Sequence, residues 1–512
     1  MPTKKITSIK ANAISNYFGQ GYTIVLTLLC TPFYLQYLGA EAYGLVGFFI
    51  IMQNWLNLLD MGLGTTLCRQ VSVARGQNSG FRHFKNLVRS FELVFAVLVV
   101  SILAVIFFKS NWIAFNWLQT DSLSPNLVSY CINIMGLIVG LRFFSTLYRG
   151  GIIGFEDQVW LNQILVFVAS LKYIGAGIIM IFISNEIQLF FEFQLVIAAL
   201  ETSILCWRFY YNLPSIASSV KLLQIDWSLF REILPFSLGV AYSSLIQLFA
   251  MQLDKLLLSG LLSLKTFGYF SLITIVSSGL ITLSVPIFTA CQPRLTVLAA
   301  QKSLVDMISL YTDMTQMVTW VVFSTAMLIV IYPQVILHLL TGDDRAYAWG
   351  GEALQWYVLG SCVFVMGSCQ YYLQNAYGNL SLYVRGLTLS LIIQVPLIYF
   401  VTSNYGAIGA SKLWFVYSLI WFFGFTSIVH GHFIPKFHLG WLLKDILPVI
   451  LWIGTLSFCI KNTFDISINS SKIEPLIKLT LISVGFFALS SLSVQLIRRK
   501  IIEKLIGRKS LY

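Results

Sequence analysis

The residues best suited to carry chemistry in this sequence are four ionisable side chains inside long apolar stretches: Arg142, Arg149, Lys172 and Glu201. A charge at the centre of a membrane-spanning helix costs about 2.5–3.5 kcal/mol on insertion scales. Such a residue is therefore expected to face a cavity, the interior of a helix bundle or a partner of opposite charge. Three of the four are cations, so binding of an anion is the first chemistry to consider.

Arg142 and Arg149 are seven residues apart and so share one face of a helix. A guanidinium donates two parallel hydrogen bonds, which suits phosphate oxygens better than the single point charge of an ammonium. Arg142 lies two turns deeper and is the better candidate for a diphosphate contact. For Arg149, near the predicted cytoplasmic end, simple anchoring of the helix is the alternative explanation.

Lys172 and Glu201 lie on consecutive predicted helices at similar depth. Two interpretations remain open from the sequence. The pair could be a structural ion pair that holds neighbouring helices together. Alternatively, Lys172 contacts a substrate in a cavity, and Glu201 takes part in coupling or conformational change.

Two aspartates are further candidates for coupling or conformational roles. Asp60 lies in the last third of the second predicted helix, and Asp254 lies near the outer end of the seventh, beside Lys255. Asp254 and Lys255 could also simply mark the end of that helix.

No constellation typical of catalysis or of a cofactor is visible. The eight cysteines contain no CxxC pair, and there is no GxxxxGK[ST] phosphate loop. His430, His432 and His438 form an H-x-H-x5-H pattern, for which an interfacial loop is a better explanation than a metal site. We therefore predict no metal, no cofactor and no enzymatic activity.

The elements that must position these charges are membrane helices. Hydrophobic residues make up 57% of the 512-residue chain, charged residues make up 11%, and the mean hydropathy is +0.79. These values lie far outside the range of soluble domains. Apolar windows predict fourteen helices, near residues 13–35, 43–66, 88–108, 127–149, 161–183, 189–210, 232–258, 267–290, 314–338, 353–377, 382–402, 407–429, 446–460 and 476–497.

The distribution of Lys and Arg predicts the orientation. With the N-terminus in the cytoplasm, twenty-three of these residues fall in inside segments or helix ends and six fall outside. We therefore predict that both termini are cytoplasmic and that the basic tail lies on the anionic lipids of the inner leaflet. The cations occupy short loops rather than a basic face with exposed aromatics, so no nucleic-acid partner is expected.

A weak internal repeat relates the two halves of the chain. LGAEAYGLVGF from Leu38 and LSLKTFGYFSL from Leu262 match at a shift of 224 residues, which pairs Gly44 with Gly268. Half-chain repeats recur in secondary transporters, whose two lobes alternate about a central site. Chance similarity between apolar segments is the alternative.

These motifs resemble the polysaccharide-biosynthesis flippases of the Wzx type. The resemblance is carried by Asn16-Tyr17, by TPFYLQYLGAEAYGLVGFF from Thr31 and by LLDMGLGTTLCRQ from Leu58. LDKLLLSGLLSLKTFGYFSL from Leu253 resembles the start of the second half, with weaker matches in PIFTACQPRL from Pro286 and YGAIGA from Tyr405. The family belongs to the multidrug/oligosaccharidyl-lipid/polysaccharide exporter superfamily.

The resemblance implies an all-α polytopic membrane protein with two pseudo-symmetric six-helix lobes around a central cavity and two extra C-terminal helices. On this chain the lobes would be residues 1–215 and 216–435, followed by two helices and a basic tail in 436–512. The function implied is translocation of undecaprenyl-diphosphate-linked oligosaccharide across a bacterial inner membrane. Membrane lipids, H⁺ or Na⁺, and polysaccharide assembly proteins are the partners to be expected.

Two other functions remain open at this stage. A cation-coupled drug exporter of the same superfamily would be expected to depend on buried carboxylates. A membrane glycan polymerase or ligase would need a substantial outer catalytic loop, and the predicted outer loops are short.

Overall fold

The computed structural model describes residues 8–38, 63–76, 84–117, 123–214, 264–341, 344–464 and 473–495, with short pieces in 42–53, 231–258, 466 and 497–498. The described residues form helices and turns only. They divide into two compact units, Met1–Leu245 with Thr296–Gln301 and Ile246–Leu295 with Lys302–Tyr512.

Six helices make up most of the described part of the first unit. They are α1 (Ile9–Leu38), α2 (Leu63–Gly76), α3 (Phe84–Trp112), α4 (Pro125–Gly154), α5 (Gln158–Phe182) and α6 (Ile187–Asn212). Helix α4 is the central one of the six. In its most apolar segment 61% of the residues are buried, whereas in the corresponding segment of α3 only 17% are buried. It packs along α2, α3 and α6.

Local sequence fixes both ends of α4. The side chain of Ser124 accepts a hydrogen bond from the backbone N–H of Leu127, and Pro125 occupies the first helical position, where its missing N–H is harmless. At the other end Glu156 takes a positive φ of 59° and turns the chain into α5. Residues Arg142 and Arg149 are thereby held at fixed depths in the first unit.

Helix α5 is interrupted by a π-helical turn at Leu171–Gly175. Such turns widen the helix and leave backbone carbonyls without their usual partners. Here the Lys172 carbonyl accepts a hydrogen bond from Gln194 Nε2 at 3.0 Å, and the Tyr173 carbonyl accepts one from the Tyr34 hydroxyl at 2.6 Å. Helices α1 and α6 therefore hold the turn that carries Lys172.

The second unit contains the remaining described helices. They are α7 (Leu264–Ala300, with its last residues in the first unit), α8 (Leu304–Ile331), α9 (Pro333–Thr341), α10 (Asp344–Tyr377), α11 (Ser381–Phe433), α12 (His438–Thr463) and α13 (Ile473–Ser490).

Helix α11 is a hairpin of two helices that meet at Gly406. Gly406 has φ 58° and ψ −146°, a conformation that only glycine adopts readily. The Tyr417 hydroxyl lies 3.3 Å from the Ser390 hydroxyl, although 27 residues of straight helix would span about 40 Å. The chain therefore folds back at Gly406, and the two predicted helices 382–402 and 407–429 are separate.

The predicted all-α polytopic membrane fold is confirmed. Nine helices in the described ranges are long and apolar enough to cross a membrane, α11 among them. Every predicted helix has a counterpart except 43–66 and 232–258, which lie largely outside the described residues. The predicted helix 314–338 is wrong in its boundaries: it divides into α8 and α9 at Pro333, which cannot donate a backbone hydrogen bond.

Candidate functional site

A cavity of about 290 Å³ lies inside the first unit, among α1, α4, α5 and α6. Its lining combines apolar, neutral polar and charged side chains. The lining residues are Thr23, Gln53, Val139, Arg142, Phe143, Thr146, Arg149, Leu165, Val168, Ala169, Lys172, Tyr173 and Glu201.

The four ionisable residues singled out in apolar stretches all reach this cavity. Arg142 and Arg149 come from α4, Lys172 from the π-helical turn of α5, and Glu201 from α6. Three cations against one carboxylate leave the lining with a surplus of two positive charges. In a low-dielectric surrounding these charges interact far more strongly than they would in water.

Glu201 forms an ion pair with Arg149, which joins α6 to α4. The side chain of Glu201 is 6% exposed and that of Arg149 is 39% exposed, so the carboxylate lies in the wall and the guanidinium reaches into the cavity. The alternative of a structural Lys172–Glu201 pair is therefore wrong in this structure, because the carboxylate is engaged by the arginine on α4. Anchoring of the helix by Arg149 stays the alternative prediction.

Arg142 and Lys172 have no ion-pair partner within the described residues. The Arg142 guanidinium lies 5.6 Å from the centre of the Phe49 ring, and Lys172 Nζ lies 5.2 Å from the centre of the Tyr173 ring. The face of an aromatic ring attracts a cation but leaves its hydrogen-bond donors free. These two cations are thus held in place with donors left for a ligand.

Sequence reasoning missed the neutral polar residues of the lining. Thr146 lies on α4 between Arg142 and Arg149, four residues from one and three from the other, so the helical period alone could have placed it on their face. Gln53 Nε2 is buried and has no hydrogen-bond partner among the residues that the structure describes. Nothing local in the sequence distinguishes Gln53 from other polar residues in apolar stretches.

Other candidates fall elsewhere. Asp60 and Asp254 lie outside the described residues, so their roles stay predictions. The interpretation of the histidines as an interfacial loop is wrong for His430, which is fully buried between Tyr311 and His438 and bonds to both. No group of three or more possible metal ligands occurs in the described part of the chain.

The sequence matches the family model described as polysaccharide biosynthesis protein over residues 9–298, more than half of the chain. No curated protein matches the chain.

Solved structures of transporters are similar in fold. A mutant of the MATE transporter VcmN from Vibrio cholerae is 12% identical with a TM-score of 0.69, over 83% of this chain and 95% of that one. An outward-facing multidrug resistance MATE transporter of the MOP superfamily is 14% identical with a TM-score of 0.66, over 83% of this chain and 95% of that one. A MOP superfamily transporter from Pyrococcus furiosus, described as having a binding pocket of reverse polarity that suggests a different function, is 14% identical with a TM-score of 0.63, over 83% of this chain and 95% of that one.

Proposed function

The chain belongs to the family of polysaccharide biosynthesis proteins, and from this premise we propose that it is a flippase. Its substrate would be an undecaprenyl-diphosphate-linked oligosaccharide, moved from the cytoplasmic to the periplasmic leaflet of a bacterial inner membrane for surface polysaccharide such as O-antigen. The observation that carries this proposal is the cavity with a surplus of positive charge, built from helices of membrane-spanning length.

The charge of the cavity suits the substrate. A diphosphate that links a lipid to a sugar has one ionised oxygen on each phosphate, and the lining has two more cations than anions. Arg142 can donate two parallel hydrogen bonds to one phosphate, while Lys172 offers a rotatable point charge to the other. Neutral polar side chains such as Thr146 and Gln53 would bind what remains of the polar headgroup.

A flippase requires no covalent chemistry. The barrier is the transfer of a diphosphate and several sugars through hydrocarbon, and a polar, positively charged cavity lowers it. We propose that the cavity opens alternately to the two sides of the membrane while the polyprenyl chain of the substrate stays in lipid. The protein would do so with two lobes, residues 1–215 and 216–435. Coupling to H⁺ or Na⁺, contact with polysaccharide assembly proteins and cytoplasmic termini belong to the same proposal.

The rival function is a cation-coupled drug exporter, since the similar solved structures include multidrug transporters. A cationic drug would need a surplus of carboxylates, and this lining has one carboxylate, already engaged by Arg149. Likeness in fold at 12–14% identity does not identify a substrate. A glycan polymerase or ligase has less support, because the similar solved structures are those of transporters.

Substitution of Arg142 tests the proposal. We expect Arg142→Ala to abolish surface glycan while protein levels in the membrane stay normal, because the bidentate phosphate contact is lost. Arg142→Lys should restore glycan only partly, since a point charge replaces the fork. The measurement is the amount of surface glycan in a strain whose only copy is the variant. Normal glycan in Arg142→Ala would argue against an anionic substrate in this cavity.

A further inference from the structure

The ion pair between Arg149 and Glu201 stands in the wall of the proposed binding cavity, and this placement has a functional consequence. We propose that Glu201 is a built-in counter-ion, which occupies Arg149 while the cavity is empty and is displaced from it by the diphosphate of the substrate. The inference rests on the proposed flippase function and assigns Glu201 a role in selecting substrates by charge.

The geometry of the pair leaves Arg149 available to a ligand. Its guanidinium contacts Glu201 through Nη2, and its buried Nε has no hydrogen-bond partner among the described residues. Its side chain is 39% exposed, whereas that of Glu201 is 6% exposed. Because the Arg149 side chain is the more exposed partner, a phosphate entering the cavity meets it before it meets the carboxylate.

The neighbouring charges make the exchange favourable for a dianion. Glu201 faces Arg142 and Arg149 from α4 and Lys172 from α5, so it stays surrounded by cations after Arg149 turns to a phosphate. Breaking an ion pair is costly when it leaves a buried carboxylate alone. Here Arg142 and Lys172 stay beside Glu201, and Arg149 gains a bidentate contact with the phosphate. The filled cavity would then be electrically balanced.

The same competition discriminates against anions with a single charge. A phospholipid headgroup with one ionised phosphate can be neutralised by Arg142 or Lys172 alone and gains little by breaking the Arg149–Glu201 pair. Specificity is a difference of affinities and is raised by a group that penalises the wrong ligand. Glu201 would be such a group, in a bilayer where anionic phospholipids far outnumber the substrate.

The test measures binding to the purified full-length protein in detergent by calorimetry. One probe is N-acetylglucosaminyl geranyl diphosphate, with two charges, and the other is the corresponding monophosphate diester, with one. We expect Glu201→Gln to bind the diphosphate about tenfold tighter than the wild type and to gain at least as much for the monophosphate. In an Arg149→Met background the substitution Glu201→Gln should raise both affinities much less, because the competition for Arg149 is gone and only the carboxylate's charge beside Arg142 and Lys172 is removed.

Glu192→Gln is the matched control, because Glu192 lies on the same helix and bonds to Tyr130 and Gln188 rather than lining the cavity. It should leave both affinities unchanged. If Glu201→Gln does not fold, Glu201→Asp withdraws the carboxylate from Arg149 and should act in the same direction. If the wild type binds the diphosphate probe but the Glu201 variants bind it equally or more weakly, the displacement of Glu201 from Arg149 is overturned, and the proposed function is not. No binding of the diphosphate probe by the wild type overturns the proposed function as well.

Discussion

Lys172 illustrates how a single charge is held inside this protein. It stands on the π-helical turn of α5, whose carbonyls are bonded by Gln194 and Tyr34, so the backbone beneath it is fixed by two other helices. The side chain has no ion-pair partner among the described residues, and its Nζ lies 5.2 Å from the centre of the Tyr173 ring. A fixed backbone under a cation without a counter-ion is what a preorganised anion site requires.

Replacement of this lysine gives a prediction at the scale of one residue. We expect Lys172→Met to reduce transport, measured as surface glycan, by about tenfold or more, because a hydrogen bond to a charged group is lost while the apolar stem is kept. Lys412→Met is the matched control, since Lys412 is exposed and pairs with Glu352. Equal activity of both variants would contradict a role for Lys172 in binding.

The charged members of the site could be predicted from the sequence, but their pairing could not. A charge in an apolar stretch is visible without a structure, and the seven-residue spacing of Arg142 and Arg149 fixes their common face. Whether Glu201 meets Lys172 or Arg149 depends on how far α5 and α6 are rotated and shifted against α4. These rotations and shifts are set by the packing of whole helices, and no local sequence pattern predicts them.

At the scale of elements, small residues allow α4 to approach its neighbours. A Cβ on Gly150 would lie 2.1 Å from the carbonyl oxygen of Gly64 on α2, and a Cβ on Gly154 would lie 2.7 Å from that of Cys68. Two glycines four residues apart form the small-residue pattern through which membrane helices pack closely. The depth and rotation of α4, and hence of its two arginines, depend on this contact.

Substitution of Gly150 tests the contact. Alanine gains about 0.5–1 kcal/mol in helix propensity, but the new Cβ must push backbone away from backbone, which costs about 1–3 kcal/mol. We therefore expect Gly150→Ala to lower the melting temperature of the purified protein. Gly21→Ala on α1, where a Cβ meets nothing within 4 Å, is the control and should not lower it. A melting temperature for Gly150→Ala equal to that of the control would refute the close contact.

Hydropathy predicts the membrane helices more reliably than it predicts irregular turns within them. The hairpin at Gly406 lies between the predicted helices 382–402 and 407–429, where a glycine between two apolar runs is visible in the sequence. The π-helical turn of α5 has no such signal, since Leu171–Gly175 is as apolar as the helix around it apart from Lys172. That turn is determined by donors on α1 and α6, which are distant in sequence.

At the scale of the whole molecule, the orientation in the membrane remains a prediction from the distribution of Lys and Arg. We expect a cysteine at position 345 to react with an impermeant maleimide added outside the cell, and one at position 82 to react only after the membrane is permeabilised. Each would be introduced into a variant in which the eight native cysteines are replaced by serine. Labelling at 82 but not at 345 in intact cells would reverse every inside and outside assignment.

The predicted repeat is a further property at this scale. Gly44 lies outside the described residues, so the relation of Gly44 to Gly268 stays a prediction. The family match covers residues 9–298, whereas the fold of the similar transporters extends over 83% of the chain. Sequence similarity therefore identifies the first part of the molecule, and the likeness of fold extends to much of the rest.

Translocation in reconstituted vesicles tests the central claim most directly. Lipid-linked oligosaccharide that accumulates in a strain without this gene would be placed in both leaflets of vesicles containing the purified protein, and impermeant periodate would be added outside. We expect the wild type to expose the inner-leaflet sugars to oxidation, so that nearly all of the glycan reacts, while vesicles with Arg142→Ala protect their inner leaflet. Equal protection of the inner-leaflet glycan in wild-type, Arg142→Ala and protein-free vesicles would contradict the assignment of this protein as a flippase.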